Sequence, residues 1–290
     1  MNCRNSQYKS LVIQYDEISV TISAMGAEIM SVLKKGKEMM WDANPDVWHF
    51  SAPILFPICG RLKDSKFIYK GKEYMLGLHG FARTSLFQIE SVSSDKAVFL
   101  LKSNEETKKS YPFDFEFRVI YSVDKTTVNV EYNVKNFTNG EMYFSVGAHE
   151  AYACPEGIDA YSIVFEETEN LNSVNVDGGL LTYEAENIGN DVNVLPLKEE
   201  YFAIDALVFL DLKSRAVKLR NNITKQEIAV NYDGFDYLLL WKEPNAKFFC
   251  IEPWCGMPDY VNSDYDITKK KGIIKIAKGC TCVKNHSIVF

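Results

Sequence analysis

The chain carries 39 acidic and 32 basic side chains in 290 residues, a formal charge of −7. A pI near 5.3 with no basic tract excludes a dedicated nucleic-acid binder, because phosphate neutralisation needs clustered Lys and Arg, and it disfavours anionic membrane surfaces. Apolar residues at 47% and charged residues at 24% are close to the globular average, so the chain can bury a sizeable core.

The opening residues MNCRNSQYKS hold no apolar segment of the secretory type, and a cytosolic location is expected. Residues 11–15 and 18–22 read as short strands, and 44–49 offer a turn or two of helix. The richest apolar stretch, 52–59, is broken by Pro53 and Pro57 and falls well short of the roughly 18 residues that a membrane helix needs. Strands follow at 87–92 and 97–101, then a second short helical stretch at 104–110.

Residues 113–136 give the clearest signal. Phe113, Phe115, Phe117, Val119, Tyr121 and Val123 alternate with polar neighbours, and after a turn at Asp124-Lys125-Thr126 the alternation resumes through Val128, Val130, Tyr132 and Val134. That period of two predicts a long antiparallel hairpin with one buried face. The polar stretch 166–193 reads as long loops. Further strands fall at 216–219, 228–232, 237–241 and 248–251, and 263–270 is a third helical candidate. Tight-turn signals such as Lys70-Gly71-Lys72, Asp177-Gly178-Gly179 and Asp233-Gly234 separate them. With too few helices for crossovers, the expected fold is all-β, one large antiparallel sandwich domain over residues 1–290.

The seven cysteines are odd in number and scattered from Cys3 to Cys282, which fits reduced thiols. Cys280-Thr281-Cys282 has no second ligand pair at zinc spacing, so no metal site is assigned. No phosphate-binding loop, dinucleotide glycine fingerprint, Gly-x-Ser-x-Gly or His-Glu-x-x-His sequence occurs. Acid–base chemistry without a cofactor is what remains.

Of four histidines, His79 and His149 have small neighbours that leave an imidazole room to meet a ligand, whereas His49, in a polar turn, reads as simply hydrogen-bonded at a loop edge and His286, near the C-terminus, as solvated. Glu252 ends an apolar strand, with Phe248 and Cys250 on its own face. A carboxylate there is either desolvated toward general-base duty or held in a structural salt bridge. Trp254 offers a flat surface for sugar C–H faces or packs as a core tryptophan. Arg61 and Arg83 suit bidentate recognition of hydroxyls, carboxylates or phosphates, the alternative being surface ion pairs. Asp205, a lone carboxylate in an apolar run, is either paired or orients substrate hydroxyls.

In order, Pro57-Ile58-Cys59-Gly60-Arg61, Leu78-His79-Gly80-Phe81-Ala82-Arg83, Gly147-Ala148-His149, Ile204-Asp205-Ala206-Leu207 and Cys250-Ile251-Glu252-Pro253-Trp254 resemble the aldose 1-epimerase (galactose mutarotase) family. The resemblance spans nearly the whole chain and is nearest the LacX-like bacterial branch. It implies the galactose mutarotase-like β-sandwich, a cofactor-independent isomerase acting on a small-molecule sugar, Glu252 as general base and His149 as general acid. It further implies that Arg61, His79 and Asp205 hold sugar hydroxyls, a role for which Asp233 or Asp236 are rivals of Asp205. No nucleic-acid or membrane partner is implied, and the oligomeric state is left open.

The chain departs from the family pattern at Glu150, where proline usually follows the second histidine, and at Ala153, where the branch tends to have a polar amide. A carboxylate at Glu150 is expected to raise the His149 pKa if it lies close. The His-Gly-Phe-Ala-Arg pattern ending at Arg83 is also similar to that of hexose-6-phosphate mutarotases, which makes a sugar phosphate a second substrate class. A sugar-binding protein without turnover is the third reading.

Overall fold

The computed structural model describes residues 8–290, so Cys3 lies outside the described residues. The hairpin expected from the alternation at 113–136 is the centre of the molecule. Phe115–Asp124 pairs with Thr127–Asn136 in an unbroken register that sets Tyr121 against Val130 and Val119 against Tyr132. The inward residues Phe115, Phe117, Val119, Tyr121, Val128, Val130 and Tyr132 are all buried, each contributing about 1.5–3 kcal/mol by the removal of apolar surface from water.

A nine-stranded antiparallel sheet grows from this hairpin. On one side Lys96–Lys102 and Gln88–Val92 extend it. On the other come Thr281–Val289, Glu227–Asn231, Ala216–Asn221, Tyr161–Asp177 and finally Leu180–Pro196. The last two correct the expectation of loops at 166–193: the stretch is an antiparallel hairpin, here called the arm. Its returning strand is largely solvated on both faces, and the first strand alternates around Glu169, Leu171 and Ser173, where two of the three buried residues are polar, so neither carries a run of alternating apolar residues.

A second, five-stranded sheet carries Val146–Gly147, Phe248–Cys255, Tyr237–Trp241 and Leu207–Phe209 in that order, with Glu150–Ala153 also paired to Phe248–Cys255. All eight residues of Phe248–Cys255 are buried. A four-stranded sheet begins with Ser10–Tyr15 and Ile18–Ser23, and one apolar cluster joins Ile13, Val20, Phe56, Phe117, Phe144, Phe209 and Ile251 across these sheets.

Helix is scarce, as expected. Glu105–Ser110 forms one short helix because Asn104 accepts hydrogen bonds from the Glu106 and Thr107 backbone N–H groups, both at 2.9 Å. Residues 44–49 make a turn instead of a helix, and of 263–270 only Ile267–Lys269 is helical, as a single tight turn. Among the described residues no helix is long and apolar enough to cross a membrane.

Candidate active site

Seven side chains singled out in the sequence, Arg61, His79, Arg83, His149, Asp205, Glu252 and Trp254, line one cavity of about 520 Å³. The exposed rivals Asp233 and Asp236 lie elsewhere, which leaves Asp205 as the carboxylate on the loop side of the cavity.

His149 and Glu252 stand on the five-stranded sheet. Alternation along Phe248–Cys255 sends Cys250, Glu252 and Trp254 to one face. His149 sits in the two-residue break between Val146–Gly147 and Glu150–Ala153, and both flanking strands pair with Phe248–Cys255. The break is clamped on both sides: the Ala148 N–H donates to the Pro253 carbonyl at 3.0 Å, and the Trp254 indole N–H donates to the Ala148 carbonyl at 3.1 Å. These contacts bring His149 Nε2 to 3.2 Å from Glu252 Oε2.

Both groups are nearly dry, Glu252 at 2% and His149 at 7% exposure. Burial pushes the Glu252 carboxyl well above the usual carboxylate range, with the negative charges of Asp205 and Glu150 adding to it. Burial likewise pulls the His149 imidazole down to about 3, helped by the Arg83 cation. A low-dielectric surrounding therefore favours the uncharged pair.

His79 is held differently. It has a positive φ of 62°, and the following Gly80 passes so close to the chain that a Cβ there would lie 2.4 Å from the Phe56 carbonyl oxygen. Its Nδ1 accepts the Gly60 N–H at 3.1 Å, so the neutral ring carries its proton on Nε2. Burial and then the facing His149, Arg83 and Arg61 keep its pKa well below the usual histidine value, so the ring stays a neutral donor.

The remaining wall comes from outside the sheet. At the arm's turn, Gly179 has a φ of 82°, and a Cβ on it would meet Arg61 Nε at 2.8 Å, so only glycine lets the turn close over the arginine. Arg61 Nε is itself buried without a hydrogen-bond partner. Asp205 accepts the Ala206 N–H at 2.8 Å and lies beside the exposed Ile204. Arg83 donates to the Leu78 carbonyl at 3.0 Å and lies 5.0 Å over the Phe50 ring.

The model for aldose 1-epimerase matches residues 9–274. The chain belongs to the aldose 1-epimerase family. Among its relatives, the plasmid-borne protein LacX of Lactococcus lactis subsp. lactis is 31% identical over 294 aligned positions, covering 96% of this chain and 98% of LacX. The structure of a galactose mutarotase related enzyme from Lactobacillus acidophilus superposes with a TM-score of 0.92 at 33% identity over 97% of each chain. A galactose mutarotase-like protein from Lactobacillus casei gives the same TM-score at 24% identity, covering 97% of this chain and 99% of its own, and speaks for the fold alone. The large antiparallel β architecture expected from the sequence is thus that of the galactose mutarotase-like proteins.

Two expectations need correction in this aldose 1-epimerase family member. Glu150 does not raise the His149 pKa: as the next residue on a strand it points to the opposite face, where it meets His286 at 2.8 Å. His286 in turn is not a solvated terminal residue but 2% exposed, opposite Val130 in the main sheet. Glu150 acts on the site through Glu252 instead, by its charge behind the sheet. The sequence reading also passed over Trp48 and Trp241, which stack on and edge against the His149 ring at 5.1 and 5.6 Å. Trp241 was legible as the end of a strand with Leu239 on its own face; Trp48 stands in a turn and carried no periodic signal.

Proposed function

We propose that the protein is an aldose 1-epimerase that interconverts the α and β anomers of a hexose. The observation that carries this reading is the His149–Glu252 pair, 3.2 Å apart and facing a cavity that also holds Arg61, His79 and Asp205. Ring opening needs a base on the C1 hydroxyl and an acid on the ring oxygen. With the pair as Glu252 carboxylate and His149 imidazolium, Glu252 takes the hydroxyl proton while His149 protonates the ring oxygen, the C1–O5 bond breaks and the open-chain aldehyde forms.

The pair is then a carboxylic acid and a neutral imidazole, the uncharged form that burial favours. Rotation about C1–C2 presents the other face of the aldehyde. Reclosure returns the proton of the C5 hydroxyl to His149 and gives the carbonyl oxygen the proton on Glu252, so both groups end as they began. His79 donates from Nε2 to a sugar oxygen, Arg61 and Asp205 take hydroxyls, and Trp254 presents a flat face.

Glu252→Gln keeps the shape and removes the base. Anomer exchange measured by polarimetry or NMR on glucose and galactose is expected to fall by about 10²- to 10⁴-fold, and a variant retaining near-native turnover would overturn the assignment. A second reading, a hexose 6-phosphate as the substrate, is supported by the two arginines in one cavity. Arg83→Ala weakening glucose 6-phosphate far more than glucose would favour it, and equal losses would discard it. Saturable sugar binding with no exchange on any sugar would instead mark a binding protein.

A further inference from the structure

We propose that Cys250, His149 and Glu252 together form a binding site for a thiophilic divalent cation of the zinc or cadmium type, and that its occupation arrests the enzyme. The arrest rests on the catalytic reading above; the binding does not. One ligand atom from each residue lies within 4.8 Å of the other two, and all three residues are buried. Nε2 of His149 and Oε2 of Glu252 are 3.2 Å apart, close to the ~3.4 Å that separates two ligands held about 2.1 Å from a tetrahedral ion. Only the sulfur has to approach.

Charge and softness select the ion. A thiolate and a carboxylate offset a divalent cation completely, so the cluster is neutral with a neutral imidazole, which a dry site requires. Sulfur and imidazole suit zinc or cadmium, whereas calcium and magnesium demand a shell of oxygen ligands of which this cluster supplies only the Glu252 carboxylate.

Trp48 stacks on His149 at 5.1 Å and, with Trp41 and Trp241, packs on the apolar cluster that contains Cys250, which excludes water from the sulfur side. His149 and Glu252 border the cavity, so the fourth position faces it and takes a water or a sugar hydroxyl. Coordination replaces the S–H bond of Cys250 by a sulfur–metal bond and displaces the proton shared by His149 and Glu252, so two protons leave for each cation bound. With Nε2 and Oε2 both engaged, neither can move a proton.

The test uses the full chain with Cys3→Ser, Cys280→Ser and Cys282→Ser, which removes three competing thiols. Cadmium is titrated in and the thiolate-to-cadmium charge-transfer absorption is followed, with stoichiometry from equilibrium dialysis. The expected result is one cadmium per chain with a band that Cys250→Ser abolishes, and binding weakened at least about tenfold by His149→Ala or Glu252→Gln. No band, or a band that survives Cys250→Ser in a folded variant, overturns the site.

If Cys250→Ser does not fold, the two cavity variants decide: undiminished cadmium affinity in both overturns it as well. In a parallel arm zinc is added to the anomer-exchange assay, where the parent is expected to be inhibited at zinc concentrations at least about tenfold below those needed for Cys250→Ser. Equal sensitivity would overturn the arrest. Absence of exchange before zinc is added would instead count against the epimerase reading and leave the absorbance result standing.

Discussion

Two long hairpins of this chain are built alike and end up unlike. The central one, Phe115–Asp124 with Thr127–Asn136, keeps a continuous register, whereas the arm, Tyr161–Asp177 with Leu180–Pro196, shifts register at four points. In the first, every inward residue but the terminal Asn136 is apolar and buried, so a slip by one residue would turn the whole core face outward. In the second, the returning strand is mostly solvated and a slip there costs little, so bulges accumulate. Register enforced by burial gives a rigid platform, and register left loose gives a strap that can be bent over a cavity.

The largest effect is expected where the platform is broken. Glu150 Oε1 meets His286 Nε2 at 2.8 Å while Glu150 Oε2 and His286 Nδ1 have no partner, so His286→Ala leaves Glu150 buried and unpaired, a loss of ~3 kcal/mol. A denaturant midpoint unchanged from wild type would refute it. The arm is expected to answer differently: Gly179→Val strains a positive φ and pushes on Arg61, so KM for the sugar should rise about tenfold, or about 1.4 kcal/mol, with kcat changed much less. Equal falls in kcat would place the damage in the platform.

Arg83→Met sharpens the contrast without touching either hairpin. The Arg83 cation is one cause of the low His149 pKa. Without it the second proton is taken up by the pair at higher pH, so the acid limb of the kcat/KM profile moves up in pH toward the value of a free imidazole. A limb that stays or moves down would exclude this coupling. The smallest effect belongs to Tyr183, 66% exposed, which stacks on Tyr260 at 4.8 Å and donates to Asn262. Tyr183→Ala is expected to cost about 0.5–1.5 kcal/mol, with protease nicking of the arm as the more sensitive readout.

The same difference governs what could be read from sequence. Phe115 to Val134 announced its strands because a half-buried sheet writes a period of two into the chain, and Phe248, Cys250 and Glu252 announced their shared face for the same reason. The arm wrote little, since Asn, Glu and Asp on both faces of its solvated returning strand carry the composition of a loop and two of the three alternating buried residues of its first strand, Glu169 and Ser173, are polar. His286 was misread because chain position stood in for burial; its alternation with Ile288 and Phe290, both buried, was the signal available. The seven side chains of the cavity were recognisable as an ordered set, but not the distances among them. Cys250 and Trp48 come within reach of His149 only through sheet pairing and a turn, which no spacing along the chain encodes.

The clamp between Ala148 and the Pro253–Trp254 segment has a consequence for how a cavity of this kind can diversify. His149 and Glu252 are indexed to each other by one short ladder of a single sheet, while Arg61, His79 and Asp205 reach the cavity from segments outside that ladder and the arm closes over Arg61. Grafting a different arm or a different 204–206 segment onto this chain would change what the cavity greets and leave the proton-transfer distance as it was. Selectivity is in that sense an exchangeable part.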